Sequence, residues 1–180
     1  MNKKKYEFAN ELFAQMKTTP FSKISISDIC NNLHCSRQSF YYYFKTLDDC
    51  LIYFVQESFK SEIKDNYLIS DLFNYFEKND AFVRLCGQDQ KSNDLFWKGL
   101  LEYTKKMMDI IFSKNLDDYL ELYIEQRDAI TNFYAAGLLV EVRNYTFNNH
   151  APSKEKCISY CKSIIGNGDD NRNMMRRFLH

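Results

Sequence analysis

Arg37 and Gln38, directly after Ser36, are the residues of this chain whose types and spacing best suit a chemistry, and that chemistry is hydrogen bonding to base edges. An arginine can donate twice to guanine and a glutamine can pair with adenine, provided both project from an exposed helix start. The surrounding stretch, residues 25 to 51, reads SISDICNNLHCSRQSFYYYFKTLDDCL. Ser25 and Asp28 have capping-box spacing, and Ile29, Cys30 and Leu33 form the buried stripe of the helix they open. After His34 and Cys35, Ser36 is an N-cap, which places Arg37, Gln38 and Ser39 in the open first turn of a second helix and Phe40 and Phe44 on its inner side. Two helices set by a short turn, the second leading with long polar donors, have helix-turn-helix geometry. The plain alternative for Arg37 and Gln38 is a solvated helix end, and Ser39 reads equally as a base contact or an ordinary third-position residue. Tyr41, Tyr42 and Tyr43 cannot all be core, because successive helical positions turn by more than a quarter circle. Ser25 and Ser27 offer hydroxyls and amides to a phosphate at a helix N-terminus, a role compatible with capping.

The elements that must position these residues are helical. Ala9, Leu12, Phe13 and Met16 predict a first helix from about Asn2 to Lys17, stopped by Thr19-Pro20. Asp48 and Asp49 sit in the first turn of a fourth helix continued by Leu51, Phe54, Val55 and Phe59. Short helices are expected between residues 70 and 87, broken at Asn79-Asp80 and Gly87. A polar loop GQDQKSND then leads to a long helix through Phe96, Leu100, Met107 and Phe112, ended by SKNLDDY. From Tyr119 to Phe147 the apolar residues run almost without a break, around Ala135-Ala136-Gly137. A turn through Pro152 precedes a last helix from Ser153, bearing Cys157, Ile158, Cys161, Ile164 and Ile165 and ended by Gly166-Asn167-Gly168.

Composition fits this reading and excludes others. The 180 residues are 45% hydrophobic and hold only five Gly and two Pro, which favours long helices over a turn-rich sheet protein and excludes disordered and fibrous classes. No apolar run reaches membrane-spanning length, and the start MNKKKYEFANELF has no signal-peptide core, so a cytoplasmic protein is expected. Six cysteines form no CxxC pair and most read as small core hydrophobes; Cys35 in the turn fills an apolar position of the motif, the alternative being a redox switch whose oxidation disturbs docking. Cys157 and Cys161 lie one helical turn apart, but a structural zinc site needs two more ligands and only His150 and His180 are near in sequence, so no metal is expected. Three scattered histidines, no Gly-rich phosphate loop and no nucleophile signature argue against an enzyme, and no cofactor is expected. Net charge is zero, yet residues 1 to 47 hold seven Lys or Arg against three acids, a basic head of +4 on a body of −4.

The N-terminal third resembles the tetracycline-repressor (TetR) family of transcriptional regulators. The resemblance rests on the amphipathic first helix with Phe8, Ala9, Leu12 and Phe13, the capped second helix, the recognition helix ending Phe40-Tyr41-Tyr42-Tyr43-Phe44, and Leu51 beyond it. Two positions depart from the pattern: the usual Gly of the turn is His34, and the lysine that commonly follows the aromatic Phe is Leu47, with Lys45 as a stand-in phosphate contact. The resemblance implies an all-α protein with a DNA-binding domain at 1–47, a ligand- or partner-binding and dimerisation domain at 48–166, and a polar tail at 167–180. It implies DNA contacts by Ser25, Ser27, Ser36, Arg37, Gln38, Ser39, Tyr41, Tyr42, Tyr43 and Lys45, made by a homodimer on a near-palindromic operator. SRQSFYYYFK and the ending FYAAGLLVEVRNYTF look most like the subgroup that includes activators of dihydroxyacetone-kinase operons, while repression is the family's commoner mode.

For the body, the resemblance makes Phe96, Trp97, Tyr103, Met107, Phe112 and Phe133 candidates to line a pocket for a small-molecule effector, against the plainer reading of core. It makes the last two helices a dimer interface, with Tyr134, Leu138, Val142, Ile158, Cys161 and Ile165 as its residues. A protein effector is also compatible with the subgroup. The reading from another class is a helical interaction module that keeps the fold but binds a protein, with DNA contact weak or absent.

Overall fold

A computed structural model describes residues 3–63, 67–115, 120, 122–149 and 151–165. Among these residues the regular structure is all helical: α1 (Lys3–Met16), α2 (Ile26–Asn32), α3 (Arg37–Tyr41), α4 (Leu47–Lys60), α5 (Leu68–Lys78), α6 (Asp80–Cys86), α7 (Gln90–Asn115), α8 (Ile124–Phe147) and α9 (Lys154–Ile165), with a 3-10 turn at Phe21–Lys23. No helix among the described residues is long and apolar enough to cross a membrane. The expected start of the α8 helix at Tyr119, the Gly166-Asn167-Gly168 stop and the tail at 167–180 lie outside the described residues.

The chain packs as two compact units, one formed by the chain up to Ser61 with Asn79–Leu100, the other by Glu62–Lys78 and the chain from Leu101 onward. The first unit therefore runs past residue 47, because α1 packs along α4 as well as against α2. Phe8, Ala9, Leu12 and Met16 supply the buried stripe of α1, and Phe13 stacks on Phe54 of α4 at 4.9 Å. Phe82 of α6 sets its ring edge-on to Phe13, Phe54 and Phe96, so one aromatic cluster ties four helices. Edge-to-face pairs of this kind contribute about 0.5–1.5 kcal/mol each beyond the area they bury.

Two local devices in this unit were not read from the sequence. Thr46 is the N-cap of α4, forming a second capping box with Asp49. The polar stretch GQDQKSND is a loop only as far as Asp89, since the Asp89 carboxylate accepts the Ser92 N–H at 3.1 Å and opens α7 at Gln90. The same carboxylate accepts the backbone N–H and the hydroxyl of Ser22, and Lys91 pairs with Asp48 at 2.8 Å. The first turn of α7 thus holds both ends of the segment that contains α2 and α3.

Gly99 lets α7 lie close on α4: a Cβ there would stand 3.3 Å from Val55 Cγ1 and 3.5 Å from the Ile52 carbonyl. Gly99→Leu is expected to lower stability by about 1–3 kcal/mol, because the overpacking outweighs the gain in helix propensity. The midpoint of urea unfolding, read at constant slope, checks it.

In the second unit α5 packs on α8 and α9. Leu72, Phe73, Tyr75, Phe76, Leu138, Leu139, Val142, Cys157 and Cys161 are buried there, and Phe73 meets Tyr145 edge-on at 5.3 Å. The buried Tyr145 hydroxyl donates to Glu77, which also takes Lys154 at 2.7 Å. Burial first, then that carboxylate, push the Tyr145 phenol well above its ordinary range.

Candidate nucleic-acid interface

The interface is built from the turn outward. Ser25 accepts the Asp28 N–H and the Asp28 carboxylate accepts the Ser25 N–H at 2.9 Å, the expected capping box. The Ser25 hydroxyl and amide hold the Asp28 carboxyl below the usual carboxylate range. At the other end of α2, the His34 N–H bonds to the Asn31 carbonyl at 3.1 Å and the Cys35 N–H to the Cys30 carbonyl at 3.0 Å. This pair of bonds is a Schellman turn, and it requires a left-handed residue at His34, whose φ is 49°. A histidine therefore performs what a glycine does without a Cβ penalty. His34→Gly is expected to raise stability by about 1 kcal/mol, seen as a rise in the thermal midpoint.

Ser36 then caps α3, accepting the Ser39 N–H at 3.3 Å, and Phe40 is fully buried edge-on to Phe8 at 5.4 Å. This anchor fixes which side of the short helix faces outward. Arg37 and Gln38 are exposed, Ser36 is exposed, and Ser39 is half-buried. Arg37 Nη2 donates to the Tyr41 hydroxyl at 3.3 Å and its guanidinium lies 5.9 Å from the Tyr41 ring, so the arginine rests along the outer face of its own helix.

The three tyrosines divide. Tyr42 is 82% exposed and Tyr41 is exposed, whereas Tyr43 is half-buried against Phe8 and edge-on to Tyr42. Ser25 and Lys45 are exposed and Ser27 is half-buried. Lys5, on α1, lies over the rings of Tyr53 at 4.3 Å and Phe44 at 5.1 Å, an arrangement no spacing rule in the sequence signals.

The expected pocket residues are divided between the two units. Phe96 is fully buried in the first unit, while Met107 and Phe112 are buried in the second, and Phe112 meets Tyr134 edge-on at 5.5 Å. Phe133 is 67% exposed and so lines no interior with them; Trp97 and Tyr103 are half-buried. Most of the expected interface residues pack inside the second unit. Tyr134, Leu138, Val142 and Cys161 are buried within the chain and Ile158 is half-buried, while the side chain of Ile165 lies outside the described residues. The outward apolar stripe of α8 is instead Phe133, Val140 and Phe147, with Gly137 on the same line, and α9 exposes Tyr160 and Ile164. Among the described residues a Cβ on Gly137 would meet nothing within 4 Å, so no packing among them calls for a glycine there.

Among the described residues no group of three or more His, Cys, Asp or Glu side chains is placed to hold a metal ion. In comparison with known proteins, no family model and no curated protein matches the chain.

Proposed function

We propose that this protein is a sequence-reading DNA-binding regulator of the TetR type, acting as a homodimer. The observation that carries the reading is the placement of Arg37 and Gln38, exposed on the first turn of a capped helix whose opposite side is anchored by the buried Phe40. Their donors read base edges in the major groove, while Ser25, Ser27, Lys45 and the outward tyrosines meet sugar and phosphate. A basic head of +4 supplies the sequence-independent attraction. So short a reading helix gains discrimination when two copies span half-sites one helical turn apart, and the exposed apolar stripe of α8 is the face proposed to meet its copy.

Binding of the purified protein to the DNA upstream of its own gene, at two salt concentrations and beside an unrelated duplex, tests it. Selective binding that weakens steeply with salt is expected. Equal binding to both duplexes, or none at low salt, removes the reading.

The exposed face of α8 also favours a second reading, in which that surface takes a different protein and DNA contact is weak. A monomer that fails the upstream-DNA test would favour this interaction module.

A further inference from the structure

Five of the six cysteines are buried, and Cys35 alone stands half-exposed. It is the second residue after the α2 cap, and its N–H closes the wider bond of the Schellman turn onto the carbonyl of Cys30. Residues at these two positions of such a turn commonly touch through their side chains. Here both are cysteines. A disulfide requires neighbouring backbones and facing Cβ atoms, and a 3.0 Å backbone bond between the same two residues holds them side by side.

We propose that Cys30 and Cys35 are a reversible dithiol–disulfide pair, oxidised by hydrogen peroxide, that controls the seating of the α3 helix. The effect on DNA rests on the function proposed above; the disulfide chemistry does not. Peroxide transfers one oxygen to the accessible Cys35 sulfur, giving a sulfenic acid and one water. The Cys30 sulfur then attacks that sulfur, hydroxide leaves and takes the Cys30 proton as a second water, and the S–S bond forms. Two electrons pass from the two thiols to one peroxide, and a dithiol reductant returns them.

The other cysteines compete poorly. Burial raises the thiols of Cys50 and Cys157, and pushes Cys86 up to about 12 and Cys161 up to about 11. Cys30 is also raised by burial, with the Arg37 guanidinium acting in the opposite direction, so closure of the disulfide quickens as pH rises.

The consequence for α3 follows from the Cys30 thiol, which donates to the Ser36 carbonyl at 3.7 Å. That carbonyl also accepts the Ser39 N–H at 3.0 Å. Oxidation removes the S–H donor and draws Cys35 toward α2, which unseats the cap and moves Arg37 and Gln38 with it.

The full chain, reduced and then treated with hydrogen peroxide, is compared with Cys35→Ser and Cys30→Ser by thiol counting, peptide mass and operator binding. Both cysteines fall in the tryptic peptide from Ile24 to Arg37, so the bond registers as that peptide lighter by two hydrogens. The wild type is expected to lose two thiols and roughly tenfold in operator affinity, restored by dithiothreitol, while Cys35→Ser keeps its affinity under peroxide. Equal thiol loss in wild type and Cys35→Ser, or a disulfide that leaves affinity unchanged, would overturn the proposal. If the disulfide forms but neither state binds DNA, the DNA reading falls. The pair then stands or falls on whether oxidation speeds amide exchange at Ser39 and Phe40.

Discussion

Arg37→Ala is expected to abolish discrimination between operator and unrelated DNA while leaving the chain folded. A bidentate arginine–guanine contact is worth about 1–3 kcal/mol against the wrong base, and a dimer carries two, so the specific affinity falls by about 2–6 kcal/mol if the half-sites act independently. Arg37 is exposed and, among the described residues, bonds to its neighbour Tyr41 one turn along in α3, so its removal leaves the buried Phe40 anchor intact. Gln38→Ala should relax specificity at a different base pair. Lys45→Ala provides the contrast: losing a phosphate contact weakens both duplexes alike and lowers the salt slope by roughly one per protomer. Fluorescence anisotropy titrations of both duplexes across a salt series separate the two behaviours, and an Arg37→Ala protein that loses affinity for both duplexes equally would make that residue a phosphate contact.

The second large effect is expected at the outer face of α8. Phe133→Glu combined with Val140→Glu should give a folded monomer, because both side chains are exposed and neither serves the core of the chain. Across a two-fold axis each substitution faces its own copy or an apolar partner, and like charges in such a position cost several kcal/mol. Light scattering should report the mass of one chain, with helical circular dichroism unchanged. Val142→Glu is the control from the other side of the same helix: Val142 is fully buried, and an unpaired carboxylate there should unfold the second unit. A double variant that stays dimeric would move the interface elsewhere.

These contrasts show what the sequence made legible. The head was readable because its signals are local. Ser25 with Asp28 and Ser36 with Ser39 act over three residues, and hydroxyl or carboxylate caps require nothing distant. Asp89 was missed for the opposite reason: it caps α7 inside a stretch so polar that composition pointed to a loop, and its tie to Ser22 spans 67 positions. On α8 the difficulty is one of periodicity. Apolar residues lie on both the inner and the outer face, so spacing cannot say which face is which, and it takes the fold of the second unit to show that Tyr134, Leu138 and Val142 are buried. The unbroken apolar run is itself the sign of a helix with two demands on it, the core of its own unit and whatever covers Phe133, Val140 and Phe147.

The first turn of α7 grips the segment carrying α2 and α3 at both ends, through Asp89 on Ser22 and Lys91 on Asp48. Each surface tie is weak alone, but together they frame residues 22 to 48 independently of what Arg37 and Gln38 happen to be. Under selection, such a frame separates inheritance of the scaffold from inheritance of the address. On the proposed function, descendants can exchange the exposed letters at 37 and 38 and acquire new genes to govern without relearning how to fold. A protein engineer could use the same freedom, varying those two positions as a cassette while the frame stays untouched.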